Sequence, residues 1–329
     1  MILAGDVGGT KSNLGIFDIQ GDVPKGSAQQ GTLVRVAEKR YSSREHKGLE
    51  EIVKDFVNVT GAKVTAASFG IAGPVVNNRV QTGNLPWIVD GASMASLLGL
   101  DRVRLMNDLE ATAFGIGVLQ PTDLEVLYAG IPAPETHRAV IAAGTGLGEA
   151  ILFWDGAKHM PMATEGGHAD FAPHTDQQAD LWKFIKSRGG FASAEMVLSG
   201  RGFRTLHEFL NRSVRHPSFD DPSADPAREI TALAFAGECP VCVTALDLWI
   251  EIYGSEAGNL VVRTVARGGI YVAGGIAVKI LAKLKDGKFA SAFRDKEKMA
   301  YFLEQVPIHV VLDEECPLKG AAYAVWKGL

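Results

Sequence analysis

Residues 2–17 read I-L-A-G-D-V-G-G-T-K-S-N-L-G-I-F. An apolar run meets Asp6, Gly8-Gly9-Thr10 supplies a tight turn, and a second apolar run goes from Leu14 to Phe17. This pattern predicts a β-hairpin. Two adjacent glycines let backbone N–H groups converge on one point with no Cβ in the way. Such a nest suits phosphate oxygens. Asp6 closes the first strand, where a carboxylate can hold a magnesium ion through water. A plain Gly-Gly turn beside a solvated Asp has the same sequence pattern, so this stretch alone leaves both readings open.

A second copy lies near mid-chain. Val140 to Phe153 reads V-I-A-A-G-T-G-L-G-E-A-I-L-F, again an apolar strand, a glycine turn (Gly144-Thr145-Gly146, then Gly148) and an apolar strand. An internal repeat of this kind points to two related α/β halves. Phosphates gripped by one hairpin from each half fit that duplication. Neither hairpin is a Walker A loop, because no G-x-x-x-x-G-K-[ST] occurs around them.

The 329 residues suffice for two domains of ~100–200 residues each. With 47% hydrophobic and 22% charged residues, a large core is available and a disordered chain is excluded. The net charge of −5 and the lack of a long basic run argue against nucleic acid or an anionic membrane as main partner. No apolar run approaches the ~18 residues that span a bilayer. The sequence starts with strand residues and shows no signal-peptide pattern, so a cytoplasmic protein is expected. Cys239, Cys242 and Cys316 make an odd, small set, as reduced thiols do. Cys239-Pro-Val-Cys242 has zinc-ligand spacing, but a structural zinc needs four ligands and no second Cys or His pair stands nearby in sequence. Two ordinary thiols are the favoured reading.

Along the chain, Gln20 to Thr32 reads as an exposed loop before a strand at Leu33–Tyr41. Leu49–Thr60 has an amphipathic helix pattern. Val64–Ile71 is an expected strand, broken by Gly73-Pro74, with Thr82 and Asn84 near the break. A helix is expected at Gly91–Leu100 and a buried strand at Val103–Met106. Asn107-Asp108 then sits between a strand's carboxyl end and a helix expected at Leu109–Gly117, where ligands bind in open α/β sheets. One Asx residue suffices as a helix N-cap, so a pair is suggestive. The second half is expected to open at residue 119 with a polar stretch. Lys158–Ala172 reads as a loop containing E-G-G-H-A-D, Gln177–Lys186 as a helix, and Phe191–Leu198 as a helix start. His216–Pro226 reads as a loop and Ile230–Val265 as one long helical stretch. A strand at Gly269–Ala273, a helix at Ile276–Leu284, a strand at Ile308–Leu312 and a helix at Leu318–Lys327 complete the chain.

The candidate polar groups are Asp6, Asn107, Asp108, Glu165, His168, Asp170 and Glu195. Carboxylates with His and Asn beside glycine-rich segments suit a ligand with many hydroxyls, such as a sugar. Each has a structural alternative. Glu195 can complement a helix dipole, His168 can be a core histidine, and Asp170 is a turn residue kept outside the site. No H-E-x-x-H or paired Cys/His spacing points to a catalytic metal centre.

Taken together, these residues resemble the bacterial ATP-dependent glucokinase family, within the actin–hexokinase–Hsp70 ATPase superfamily. The resemblance spans essentially the whole chain. It rests on Gly5-Asp6-Val7-Gly8-Gly9-Thr10, Gly70-Ile71-Ala72-Gly73-Pro74-Val75, Asn107-Asp108, Gly144-Thr145-Gly146-Leu147-Gly148, Glu165-Gly166-Gly167-His168, Ser193-Ala194-Glu195 with Leu198-Ser199-Gly200, and Ala273-Gly274-Gly275-Ile276. It implies an α/β fold of two domains with duplicated ribonuclease-H-like (actin-like ATPase) cores around a central cleft. The expected division is 1–118 plus 309–329 for the small domain and 119–308 for the large one. It further implies phosphorylation of glucose by ATP with Mg2+. Asn107, Asp108, Glu165, His168 and Glu195 would bind glucose, with Asp108 as catalytic base. Gly5 to Thr10 and Gly144 to Gly146 would hold the phosphates, Gly274-Gly275 would lie by the adenosine, and Asp6 would serve magnesium. A homodimer is typical of the family. His168 and Glu195 stand apart from both hairpins in sequence, so their substitution is expected to spare ATP binding. Lys11 departs from the Asn carried by many members, which leaves its role open. The cysteine-rich zinc motif of a related group of sugar kinases and repressors is absent. The alternatives are another hexose or amino-sugar kinase, a non-catalytic sugar sensor, and an ATP-driven chaperone or filament protein. A sensor would need a DNA-binding segment, and a chaperone or filament role leaves Glu165, His168 and Glu195 unexplained.

Overall fold

Strands β1 (Ile2–Val7) and β2 (Lys11–Gln20) form the expected hairpin, antiparallel from Ile2 opposite Phe17 to Val7 opposite Ser12. The structure is a computed structural model that describes residues 1–20, 32–83, 85–221, 224–326 and 328. Most of the loop expected between Gln20 and Thr32, with Asn84, two residues of the loop expected at His216–Pro226, and Lys327, lies outside the described residues. The chain separates into two compact units, Met1–Thr122 with Asp313–Leu329, and Asp123–Leu312.

In the first unit, β3 (Thr32–Ser42), β4 (Ala66–Ile71), β5 (Arg79–Gln81), β6 (Ile88–Asp90) and β7 (Val103–Asn107) follow the hairpin. The main sheet has the order β3-β2-β1-β4-β7, while β5 and β6 form a separate ribbon. β1 pairs antiparallel with β2 and parallel with β4, and β4 pairs parallel with β7. The two-residue period of β1 sorts its side chains onto two cores. Leu3 and Val7 join the cluster under the helix Leu49–Thr60, which contributes Leu49, Ile52, Val53 and Phe56. Ile2 and Ala4 join the opposite cluster, with Ala111 and Phe114 of the helix Asp108–Ile116 and Leu318, Ala321 and Ala322 of the helix Cys316–Trp326. Asp6 continues the Ile2, Ala4 series and therefore faces the helix that starts at Asp108. Glycines let these helices come close. A Cβ on Gly70 would lie 2.7 Å from the Ala111 Cβ, and one on Gly320 would run into the Ala111 carbonyl.

The second unit contains β8 (Leu124–Tyr128), β9 (Arg138–Ala143), β10 (Leu147–Trp154), β11 (His159–Thr164), β12 (Ile270–Ala273) and β13 (Ile308–Val311). Its sheet order is β11-β10-β9-β12-β13-β8. β9 pairs antiparallel with β10 and parallel with β12, and β12 pairs parallel with β13. Five strands thus repeat the order and direction of the first sheet, and β8 is an added antiparallel edge. The duplication read from two hairpins extends to whole sheets.

Several expectations need correction. Lys158–Ala172 is not all loop, because β11 pairs with β10 from Trp154 opposite His159 to Glu149 opposite Thr164. The polar opening of the second half contains β8. The helical stretch Ile230–Val265 is two helices, Pro226–Ala236 and Pro240–Thr264, because Gly237 adopts φ 70° and ends the first. Ile276–Leu284 breaks at Ile280 into two short helices. The boundaries expected at 118/119 and 308/309 fall at 122/123 and 312/313, since β13 hydrogen-bonds to β12 and β8 and so belongs with the second sheet. No single described helix is long and apolar enough to cross a membrane.

Candidate active site

The hairpin turn of the first unit is held open by its own backbone. The Gly8 N–H donates to the Lys11 carbonyl at 2.9 Å, and Ser43 fixes the other side, its Oγ donating to the Gly8 carbonyl at 2.8 Å. Ser12 and Ser43 share a buried hydroxyl contact of 2.9 Å that keeps β2 against this brace. Val7, Gly8 and Gly9, with Ala72, Thr82 and Leu85, line a small pocket at the turn. Lys11 is exposed at the same edge.

Asn107 and Asp108, adjacent in sequence, have separate tasks. Asn107 is the N-cap of the helix Asp108–Ile116, its Oδ1 accepting from the Leu109 and Glu110 N–H groups at 2.8 and 3.4 Å. Its Nδ2 donates to the Gly73 carbonyl at 3.1 Å, which ties the cap to the strand break. An amide offers two N–H donors, so one remains for a ligand. Asp108 occupies the first helical position. Its Oδ1 accepts from the Leu109 N–H at 3.0 Å, where the helix dipole favours the anion. Beneath it, burial pushes the Asp6 carboxyl up to about 7, the charge of Asp108 pushes the same way, and Arg40 opposes them. The Asp6 and Asp108 carboxylates thus act on one another in the first unit. Hard oxygen donors of this kind fit a magnesium ion.

In the second unit, the Gly144 N–H donates to the Gly146 carbonyl at 2.8 Å across the hairpin turn. Two further elements close on this turn. Gly200 donates to the Gly144 carbonyl at 2.9 Å, and Gly274, with φ 88°, sits so close to Ala143 that no Cβ would fit. Gly274 thereby lies beside the strand end that leads into Gly144.

Glu165, His168 and Glu195 come together through backbone pairing. The Ala194 N–H donates to the Ala169 carbonyl at 3.0 Å, and Asp170 bridges Ser193, which gives the residue kept out of the site a structural task. Gly166 and Gly167 ride directly over β10, where Cβ atoms would run into Glu149 and the Leu147 carbonyl. The flanking Glu165 and His168 stay in solvent at 53% and 62% side-chain exposure, with the Glu165 Oε2 and His168 Nε2 3.8 Å apart. His168 is therefore not a core histidine. Glu195 is placed differently from its sequence expectation. Its Oε2 accepts from the Leu147 N–H at 3.1 Å, and Arg201 approaches its Oε1 at 3.4 Å. Far apart in sequence, Glu195 and the second hairpin are in contact.

Sequence reasoning missed Glu149. It is 2% exposed on β10, one Oε1 has no partner, and burial with the charge of Glu256 raises its pKa to about 7 against the opposing Arg263. Its one signal was a carboxylate at an inward position of an otherwise apolar strand. Ser12, Ser43 and Arg40 gave no signal, because their tasks depend on pairing between β2 and β3.

The glucokinase protein-family model matches residues 3–327. The glucokinase of Nostoc punctiforme is 35% identical over 341 aligned positions that cover 98% of each chain. Among solved structures, the glucokinase of an Antarctic psychrotroph aligns over 99% of this chain and 98% of its own, with a TM-score of 0.84 and 27% identity. The glucokinase of Balamuthia mandrillaris in complex with glucose aligns over 98% of this chain and 92% of its own, with a TM-score of 0.78; at 21% identity it supports the fold alone. With duplicated sheets, glycine hairpins in both and a full-length match in sequence and structure, the chain belongs to the glucokinase family.

Proposed function

We infer that the chain transfers the γ-phosphoryl group of ATP to glucose, giving glucose 6-phosphate and ADP. The observation that carries this reading is the glucokinase family match over residues 3–327, on a chain with a glycine hairpin in each unit. We assign the phosphate contacts to Gly5-Asp6-Val7-Gly8-Gly9-Thr10 and Gly144-Thr145-Gly146, and the adenosine contact to Gly274-Gly275. Glucose is held by Asn107, Asp108, Glu165, His168 and Glu195. The two compact units serve as the two domains of the enzyme.

Phosphoryl transfer asks mainly for positioning and charge neutralisation. The sugar's 6-hydroxyl oxygen forms a bond to the γ-phosphorus, the bond from that phosphorus to the β,γ-bridging oxygen breaks, and ADP leaves. Asp108 accepts the hydroxyl proton. What supports this role is the division of labour with Asn107, which caps the helix and leaves Asp108 at the first helical position. A carboxylate at a helix N-terminus is a weak base, and a loose transition state tolerates late proton transfer. Asp6 would hold a magnesium ion through water, and that ion would supply positive charge to the triphosphate. Glu195 links sugar and nucleotide, because the carboxylate assigned to glucose also accepts from the hairpin amide of Leu147. Cytoplasmic location, homodimerisation, and the lack of a nucleic-acid or membrane partner complete the reading. They are supported by the family resemblance and the acidic net charge of −5.

ATP turnover with and without glucose tests the reading. ADP release that depends on glucose and yields equimolar glucose 6-phosphate is expected. Turnover independent of sugar would point to an ATP-driven machine, and no turnover to a sensor.

A further inference from the structure

The helix Pro240–Thr264 begins at Cys239, its N-cap, with Cys242 in its first turn. Both sulfurs are buried, and the Cys239 side chain makes no capping hydrogen bond. His216, from the preceding loop, brings Nε2 within 3.7 Å of the Cys239 Sγ and 3.2 Å of the Cys242 Sγ. His207, on the helix Gly200–Leu210, completes the group. One donor atom from each of the four residues lies within 4.8 Å of every other. His207 is fully buried, and neither ring nitrogen has a hydrogen-bond partner. Its ring is packed edge-on against His216 and Phe219, both with centroids 5.0 Å away.

We propose that His207, His216, Cys239 and Cys242 form a structural zinc site that fastens the helix Gly200–Leu210, the His216 loop and the start of the helix Pro240–Thr264 together. Two sulfurs and two imidazole nitrogens select zinc over magnesium or calcium, which take oxygen. The size fits. Ordinary zinc–sulfur and zinc–nitrogen bonds in a tetrahedron set sulfur and nitrogen about 3.6 Å apart and the two sulfurs about 3.8 Å apart. The contacts of 3.2 and 3.7 Å bracket the first value, and the 4.8 Å limit contains the second. The start of a long helix favours thiolates. Zinc binds thiolates, so any proton on the sulfurs passes to solvent as the two sulfur–zinc bonds form, with no redox change. The site lies behind the second hairpin. Gly200, at the start of the His207 helix, donates to the Gly144 carbonyl, and Tyr253 of the cysteine helix donates to the Ile141 carbonyl at 3.3 Å. The two histidines, nine residues apart and far upstream of the cysteines, match no short zinc motif, so the C-x-x-C pair stood alone in sequence.

The full chain, purified without a histidine tag under reducing conditions, is tested with zinc alone and cobalt alone. About one zinc per chain by elemental analysis is expected. Cobalt should give the intense visible absorption of a tetrahedral site with thiolate charge transfer. Uptake should release protons, and zinc affinity should fall as pH is lowered. His216→Ala changes a half-exposed loop residue and keeps the test meaningful if Cys239→Ser or Cys242→Ser fails to fold. It should lose most of the zinc and lower the melting temperature only in metal-loaded protein. Wild-type protein with reduced thiols that takes up neither metal, or a folded Cys242→Ser that keeps full zinc, would overturn the assignment. So would a Cys239–Cys242 disulfide in protein purified without oxidant.

Discussion

Replacing Asp108 by Asn separates the roles that a strand-end Asx pair can play. Asn107 Oδ1 already takes the Leu109 and Glu110 N–H groups, so the helix keeps its cap in the variant. The loss of charge at Asp108 removes a dipole interaction worth ~0.3–1 kcal/mol. It is offset by relief of the repulsion that helps hold the Asp6 carboxyl at about 7. Stability should therefore shift by about 1 kcal/mol at most, a few degrees in melting temperature. Chemistry should respond on another scale. A lost general base costs ~10²–10⁴ in kcat, which is about 3–5 kcal/mol of barrier at 1.36 kcal/mol per decade. The assay is kcat at saturating glucose and ATP, with thermal melting and calorimetric nucleotide binding on the same preparation. Near wild-type melting and ATP binding with a kcat reduced at least a hundredfold is expected. A folded Asp108→Asn enzyme with kcat within a few-fold of wild type would refute the base assignment.

Three further outcomes are expected. Glu195→Ala should raise the KM for ATP as well as for glucose, by roughly tenfold as the charge-assisted hydrogen bond of about 1.5 kcal/mol from the Leu147 N–H is lost; an unchanged ATP KM would separate Glu195 from the hairpin. Burial, with the charge of Glu256, pushes the Glu149 carboxyl from its ordinary value near 4.5 up to about 7. The folded state thus holds this proton more tightly, and the group erodes stability as pH rises from about 4.5 to 7, by up to about 3 kcal/mol. Glu149→Gln should narrow the melting-temperature gap between pH 5 and pH 8 by chemical denaturation and melting; a gap of unchanged width would contradict the burial argument. Asp6 protonates below about 7, so the magnesium concentration for half-maximal activity should rise as pH falls through 7. Asp6→Asn should need more magnesium at every pH and lose that dependence, and a wild-type magnesium requirement would remove Asp6 from the metal.

What was legible in the sequence was periodic and local. β1 and β2 announced themselves by an apolar period interrupted by Gly8-Gly9, and the repeat at Gly144–Gly146 revealed the duplication. The helix Leu49–Thr60 was readable from its buried stripe. β11 was not, because its six residues sit between a turn and the E-G-G-H loop and carry little alternation. Glu195 looked remote from the hairpins because its contact with Leu147 arises from bridges at Ala169–Ala194 and Asp170–Ser193, which no spacing encodes. The cap was ambiguous for a different reason. Asn and Asp both cap helices, and only the direction of Asn107 toward Gly73 and Leu109 shows which one does. The two histidines beside Cys239 and Cys242 were invisible because the folding of a loop, rather than a motif, brings them there.

The central claim is that this chain phosphorylates glucose in preference to other sugars. It is tested most directly by kcat/KM for glucose, mannose, fructose and glucosamine at saturating ATP and magnesium, with each product identified. A site that hydrogen-bonds a particular hydroxyl can reject a sugar lacking it by ~10⁴–10⁵. The account predicts that glucose has the highest kcat/KM and yields glucose 6-phosphate. A higher value for any other hexose, or no phosphorylation of glucose, would contradict it.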